Sequence, residues 1–488
     1  MSIKKKAIKG AGWFALQRAI EQVIHFVVFL ILARLLSPEA FGTVALAIAV
    51  MHFIEIFLDQ GFTSAIIQRD KLDEKHLNSA FWSNLCMGLL LTGIAMASSD
   101  AIADIFKQPI LSPIIWCLTL SLILGSLSTV QQAILRRDLD FKSLAIRNLI
   151  ASAAGGVVGI VMAVSGFGVW SLVGKQIAEY VVKIVVLWRV CDWRPKREFS
   201  FQHFKELFNF GIHVTGIHFL GFIYNHSATL LIGFFLGAKS LGYYVIAARI
   251  IKILKRLLST TIGNVGLPAF SRLQNEPDRV ISAFYSFTRF TALFVIPAFV
   301  GIIYLAPDFL TTVFGNRWQN SIVVLQLLAI FAIIDSLRSP MATLIMGLGK
   351  ANWRLQLQFA ESLGVIIGIY IAHFWGINAI AMAFVVVSTC VFPFWYIKVE
   401  QLVDVSIKQF VIECLPPIVC TLVMLIPVYL IQQWDTPMPE KIRLLLAILG
   451  AIVAYFAALR IVSPNTFEQL EKIVKSFTKK KPTKAKIA

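Results

Sequence analysis

Charged and imidazole side chains recur at helical spacing inside segments otherwise too apolar to accommodate them. Arg18, Glu21 and His25 fall at i, i+3 and i+7, and His52, Glu55 and Asp59 repeat that interval. Lys175, Glu179 and Lys183 follow at i, i+4 and i+8, and Arg249, Lys252 and Arg256 at i, i+3 and i+7 with Lys255 at their flank. These intervals place each set on one helix face. An ionisable group in lipid is costly, so a whole face of them points to a watery cavity or a partner helix. The cationic candidates are Arg249, Lys252, Lys255, Arg256, Arg18 and Lys175. Their chemistry suits a phosphate or an acidic sugar, because arginine offers a planar fork and lysine a point charge. The titratable candidates are Glu21, His25, His52, Glu55 and Asp59. Carboxylates beside imidazoles suit a proton or a sodium ion.

Each set also has a structural reading. Lys175 and Lys183 can neutralise Glu179 along one helix, and Asp335 and Arg338 at i, i+3 form a natural pair. Lys255 and Arg256 lie far enough along their helix to snorkel to the inner surface. The acidic set can equally be a group of ion pairs with Arg18. No His, Cys, Asp or Glu cluster has convincing metal spacing, and nothing calls for a cofactor.

The elements that hold these residues must be membrane helices. The 488 residues are 58% hydrophobic and 15% charged, with a mean hydropathy of +0.76. Fourteen continuous apolar stretches run near 11–36, 41–66, 77–98, 113–135, 144–165, 168–190, 208–237, 241–267, 286–306, 321–347, 354–374, 376–397, 411–432 and 442–462. Each is long enough to cross a bilayer, which takes about 20 residues, and their continuity excludes alternating barrel strands. With the N-terminus inside, 31 of the 45 Lys and Arg fall on the inner side and six in outer loops. That asymmetry puts both termini in the cytoplasm. It also accounts for the net charge of +18 without nucleic acid, the tail Lys479-Lys480-Lys481 being a solvated end near lipid headgroups. No cleavable signal peptide opens the chain, and six cysteines without paired spacing read as packing residues.

The chain repeats itself. Leu36-Ser37-Pro38-Glu39-Ala40-Phe41-Gly42 returns as Leu236-Gly237-Ala238-Lys239-Ser240-Leu241-Gly242, and Ser79-Ala80-Phe81-Trp82-Ser83 as Ser282-Ala283-Phe284-Tyr285-Ser286. Gly168-Val169-Trp170-Ser171-Leu172 aligns with Gly376-Ile377-Asn378-Ala379-Ile380. His52 and Glu55 thereby become equivalent to Lys252 and Lys255, so the polar faces are duplicated as faces. The expected fold is an all-α integral membrane protein of about 14 transmembrane helices. Two parallel-repeat six-helix lobes enclose a central cavity, with two further C-terminal helices. The N-lobe covers 1–191, an amphipathic cytoplasmic linker 192–207, the C-lobe 208–398, the last two spans 399–463 and a basic tail 464–488. In-span charge differs between lobes. The second holds Arg249, Lys252, Lys255, Arg256 and Arg338 against Asp335 and Glu361; the first holds Arg18, Lys175 and Lys183 against Glu21, Glu55, Asp59 and Glu179. Excess cation in the second lobe calls for an anionic ligand.

Trp13-Phe14-Ala15-Leu16-Gln17-Arg18, Leu32-Ala33-Arg34-Leu35-Leu36-Ser37-Pro38-Glu39-Ala40-Phe41-Gly42 and Asp59-Gln60-Gly61-Phe62-Thr63-Ser64-Ala65-Ile66-Ile67-Gln68-Arg69 resemble the polysaccharide transporter family of flippases. So do Gly166-Phe167-Gly168-Val169-Trp170-Ser171-Leu172-Val173, Leu241-Gly242-Tyr243-Tyr244 and Leu267-Pro268-Ala269-Phe270-Ser271-Arg272-Leu273. The resemblance spans at least the first twelve stretches and is nearest to exporters of capsule, colanic-acid-like or teichuronic-acid-like units. It implies the multidrug/oligosaccharidyl-lipid/polysaccharide exporter superfamily. It further implies an undecaprenyl-diphosphate-linked oligosaccharide as substrate, flipped from inner to outer leaflet of the bacterial cytoplasmic membrane. Implied partners are that polyprenyl-diphosphate-linked oligosaccharide, membrane lipids, and the polysaccharide polymerase and export machinery. A cation-coupled drug or small-solute antiporter is the alternative, with a smaller and less cationic cavity. A membrane polymerase or ligase would need a large charged outer loop, and the outer loops here are short.

Overall fold

In the computed structural model, residues 3–433 and 438–478 are described. The side chains of Arg18 and His213 and the residues of the 479–481 lysine run lie outside the described residues. The described chain is helical and contains no strand, as expected where lipid offers no partner to an unpaired backbone group. The elements are α1 (Ile3–Leu35), α2 (Pro38–Leu58), α3 (Phe62–Gln68), α4 (Glu74–Ile105), α5 (Leu111–Ser126), α6 (Thr129–Arg137), α7 (Phe141–Val164) and α8 (Trp170–Val190). They continue as α9 (Phe201–Leu273), α10 (Pro277–Phe309), α11 (Ile322–Gly347), α12 (Ala351–Ala372), α13 (Ile377–Glu400), α14 (Ile407–Gln433), α15 (Glu440–Val462) and α16 (Pro464–Thr478).

Ten of the described helices are long and apolar enough to cross a membrane, or eleven if α5 and α6, which meet at 44°, make one span. The difference from the fourteen expected stretches has identifiable sources. Expected spans 7 and 8 run together within α9, whose apolar part Val214–Leu258 counts once. Helix α8 carries Lys175, Glu179, Lys183 and Arg189, and α1 begins among residues whose side chains lie outside the description.

Local sequence sets the helix starts. Ser37 caps α2, accepting from Ala40 N at 3.3 Å, with Pro38 in the first turn. At the equivalent place, α9 breaks at Gly237, whose φ of 75° takes it out of helical geometry before the chain winds again from Ala238. The repeat seen in sequence is therefore also a repeat of helix starts.

The chain packs as two compact units. One comprises residues 1–246 with 369–377, the other 247–368 with 378–488. In the first, α7 lies against α8 through glycine. A Cβ on Gly155 would overlap the Glu179 side chain, and one on Gly159 would come within 2.9 Å of Lys175 Cβ. The stripe of small residues thus seats a Lys–Glu pair. In the second, α14 and α15 pack on α10 through Leu293, Cys420, Met424, Val428, Ala447 and Tyr455. The Tyr455 hydroxyl donates to the Leu293 carbonyl at 2.6 Å.

The segment after α8 has no regular secondary structure over residues 192–200 and is pinned across the start of α4. Trp82 Nε1 donates to the Lys196 carbonyl at 2.8 Å, Lys196 N to Asn78 Oδ1 at 3.0 Å, and Ser200 N to Ser79 Oγ at 2.9 Å. Tyr285, the repeat equivalent of Trp82, does the same in the second unit: its hydroxyl accepts from Ser406 N at 2.7 Å, just ahead of α14.

Candidate functional site

The cationic face lies on α9 within the second unit. Lys252 and Arg256 are exposed and Lys255 half-buried. Lys255 pairs with Asp335 of α11. Arg338, one turn along α11, pairs with the same carboxylate and with Glu361 of α12 at 2.5 Å. Its guanidinium stacks over Trp395 of α13 at 5.1 Å. Asp335, Arg338 and Glu361 are all buried, and burial without partners would be prohibitive. The expected Asp335–Arg338 pair is present, extended at both ends by Lys255 and Glu361. Sequence reasoning placed Glu361 only in a charge count and missed Trp395; neither has a periodic signal, since both meet Arg338 across helix boundaries. Both in-span acids of the second repeat are therefore engaged by Arg338 and Lys255.

The titratable set lies in the first unit and divides into two places. Near α1, Glu21 accepts from Gln17 at 2.5 Å and lies 3.7 Å from His25, whose Nε2 is 3.3 Å from Ser152 Oγ of α7. On α2, Glu55 accepts from the Tyr180 hydroxyl of α8 at 2.9 Å and lies 3.9 Å from His52. His52 packs edge-on against His226 of α9, ring centroids 5.1 Å apart, and His226 stacks on Phe222. Tyr180 was missed in the sequence, being flanked by the Lys175–Glu179–Lys183 series that draws attention to itself. Asp59, at the C-terminal end of α2, accepts from Thr63 N at 3.2 Å and Thr63 Oγ1 at 2.7 Å in the first turn of α3, a role its place before Gly61 accommodates. Lys175 lies 2.6 Å from Glu179 and Lys183 3.7 Å, so Lys175 is neutralised within α8.

A third cluster lies at the ends of α4 and α9. Glu206 pairs with Arg69 and accepts from His76 Nε2 at 3.2 Å. The His76 hydrogen bond, with Arg69 beside it, holds the Glu206 carboxyl below its ordinary range. Lys196 pairs with Glu74, which raises its ammonium above the usual lysine range. Asp73, His76 and His203 approach one another closely enough to hold a metal ion. His76, however, already spends Nδ1 on the Asp73 backbone N–H and Nε2 on Glu206.

Residues 31–323 match the family described as polysaccharide biosynthesis protein. The chain belongs to this family. It is 23% identical over 439 residues to the lipopolysaccharide biosynthesis protein WzxC of Escherichia coli K12, with 88% of each chain covered. It is 24% identical over 479 residues to the teichuronic acid biosynthesis protein TuaB of Bacillus subtilis 168, covering 96% of this chain and 98% of that one. Among solved structures it is similar to the lipid II flippase MurJ in an inward closed conformation, with a TM-score of 0.74 at 15% identity, covering 93% and 99% of the two chains. A multidrug resistance MATE family transporter of the MOP superfamily, inward-facing, gives 0.61 at 16% identity, covering 80% and 98%. These likenesses show the MOP fold. The protein is a multi-pass membrane protein of the polysaccharide biosynthesis protein family.

Proposed function

We propose that this protein moves a polyprenyl-diphosphate-linked oligosaccharide repeat unit from the inner to the outer leaflet of the bacterial cytoplasmic membrane by alternating access, for capsule, exopolysaccharide or O-antigen-type synthesis. Both termini face the cytoplasm in this reading, and the exported unit passes to the polymerase and export machinery. The observation that carries it is the family match over residues 31–323, with relatives named for lipopolysaccharide and teichuronic acid biosynthesis, and Arg249, Lys252 and Arg256 on one face of α9 supply chemistry that suits a diphosphate. A cation in a bilayer costs about 2.5–3.5 kcal/mol on the insertion scale, and a diphosphate is an acceptor that arginine and lysine both recognise. Arg249, Lys252 and Arg256 hold the diphosphate, with Lys255 beside them. The two lobes, spans 1–6 and 7–12, are parallel repeats that rock about that site; the duplicated helix starts at Ser37 and Gly237 support this. The titratable residues of the first unit couple the motion to a cation gradient.

The test is deletion, with identification of the sugar-lipid that accumulates on the inner leaflet, followed by complementation. Lys252→Ala and Arg249→Lys, inserted at normal level, are expected to restore export poorly, since neither keeps the original donor geometry. Full export by both would refute the site, and absence of any accumulated polyprenyl-diphosphate sugar would refute the function.

A further inference from the structure

We infer that Asp73, His76 and His203 form a binding site for one divalent transition-metal ion of the zinc class, at the starts of α4 and α9. The site lies within the first unit and uses none of the residues assigned above to the diphosphate or to coupling.

Among the described residues these three are the one group of its kind whose ligand atoms, one from each side chain, all lie within 4.8 Å of one another. Two imidazole nitrogens and a carboxylate oxygen make a donor set that suits zinc, cobalt or nickel better than calcium or magnesium. The rings of His76 and His203 meet nearly at right angles, centroids 4.4 Å apart. His76 Nδ1 and Asp73 Oδ2 are 4.0 Å apart. Two ligands of one tetrahedral ion, each about 2.1 Å from it, are separated by about 3.4 Å. The Asp73 side chain is 71% exposed, so its carboxylate is free to make that small approach.

His76 already has the tautomer that ligation requires. The Asp73 backbone N–H donates to Nδ1 at 3.2 Å, which puts the lone pair on Nδ1 and the ring proton on Nε2. Nε2 then donates to Glu206 at 3.2 Å, and Arg69 pairs with the same carboxylate. A metal-ligating histidine characteristically gives its other N–H to a carboxylate, which fixes the ring and raises its basicity. The Glu206 bond is therefore kept as support. The long Nδ1 bond is the one exchanged for the ion, and the freed N–H lies at an exposed residue where water replaces it.

His203 is placed by contacts of its own. The segment ahead of α9 is tied to α4 through Asn78 and Ser79, and Ser200 Oγ engages His203 Nδ1 at 2.6 Å. The ring is thus oriented without help from His76 and has a second nitrogen to give. Access is through Asp73: His76 is buried, His203 half-buried and Asp73 exposed, so an arriving ion meets the carboxylate first. Once bound, it staples the first turn of α4 to the first turn of α9. The two histidines are 127 residues apart in the chain, which is why no short ligand spacing announces them.

The test uses the purified full-length protein carrying a tag without histidine, stripped with a chelator and titrated with Zn²⁺ or Co²⁺ alone. One ion per chain is expected, with an intense visible absorption for Co²⁺ in a low-symmetry four-coordinate site. His203→Ala and Asp73→Asn are each expected to weaken binding at least about a hundredfold, since loss of an outer-shell partner alone costs about 10–100-fold. His373→Ala, at the end of α12, is expected to bind as wild type does. Zn²⁺ is further expected to slow limited proteolysis of residues 192–200 in the wild-type protein and not in His203→Ala. If His203→Ala does not accumulate folded, the exposed Asp73→Asn decides. Absence of stoichiometric binding by the wild-type protein overturns the inference. So does wild-type affinity in Asp73→Asn, or loss of binding in His373→Ala.

Discussion

Gly42 and Gly242, equivalent residues of the two repeats, lie against each other's helix starts in a reciprocal contact. A Cβ on Gly42 would overlap the Ala238 carbonyl oxygen and come within 2.9 Å of Gly242 N; one on Gly242 would overlap the Pro38 carbonyl oxygen. Pro38 and Ala238 are themselves equivalent at the same offset of 200 residues. One turn deeper, Gly233 is filled by Leu46.

Because only backbone faces backbone there, a side chain has nothing flexible to displace. Gly42→Ala and Gly242→Ala are each expected to destabilise this arrangement by about 1–3 kcal/mol, the usual range for overpacking. Gly93→Ala, where an added Cβ meets nothing within 4 Å, is expected to be silent. Thermal melting of the detergent-purified variants checks this; equal melting temperatures for all three and wild type would remove the contact's importance.

The Tyr180–Glu55 hydrogen bond joins α8 to α2. Tyr180→Phe deletes a donor to a carboxylate, an interaction of about 1.5–3 kcal/mol. We expect it to weaken the dependence of transport on an imposed proton or sodium gradient, as does Glu55→Gln. Asp59→Asn is expected to loosen the start of α3 instead, because Asp59 serves Thr63. Flipping in reconstituted vesicles under each gradient separates these effects, and gradient-independent transport by the wild-type protein would leave Glu55 without a coupling role.

Glu206 gives the cluster at the α4 and α9 ends a pH signature. Its folded carboxyl sits below the ordinary 4.5. The stability it contributes is therefore present above that value and is lost as pH falls through the depressed one. Glu206→Gln is expected to melt lower than wild type at about pH 7, with the gap closing as pH falls below 4.5. A gap that persists in acid would assign the loss to packing.

Trp82 and Tyr285 fasten the segments that follow α8 and α13. Trp82→Phe and Tyr285→Phe keep the ring and lose the polar handle, each costing about 0.5–1.5 kcal/mol. Limited proteolysis near residues 192–200 in the first variant and 401–406 in the second is expected to accelerate, with each variant leaving the other segment unaffected.

Much of this protein is written in one dimension. Long apolar runs dictate helices in lipid whatever their neighbours, and the repeat at offset 200 locates Ser37 and Gly237 as matching helix starts before any contact is known. Periodicity likewise put Arg249, Lys252 and Arg256 on one face, since a helix's own geometry is set by residue spacing. What spacing does not contain is the rotation and depth of one helix against the next. Lys255 and Asp335 lie 80 residues apart in the chain, and Arg338 reaches Glu361 and Trp395 across three helices. Tyr180 reaches Glu55 in the same way. A charged side chain in a membrane takes whichever counter-charge packing brings within reach, because leaving it unpaired is costlier than bending toward a partner. That choice of partners was made by the tertiary structure alone.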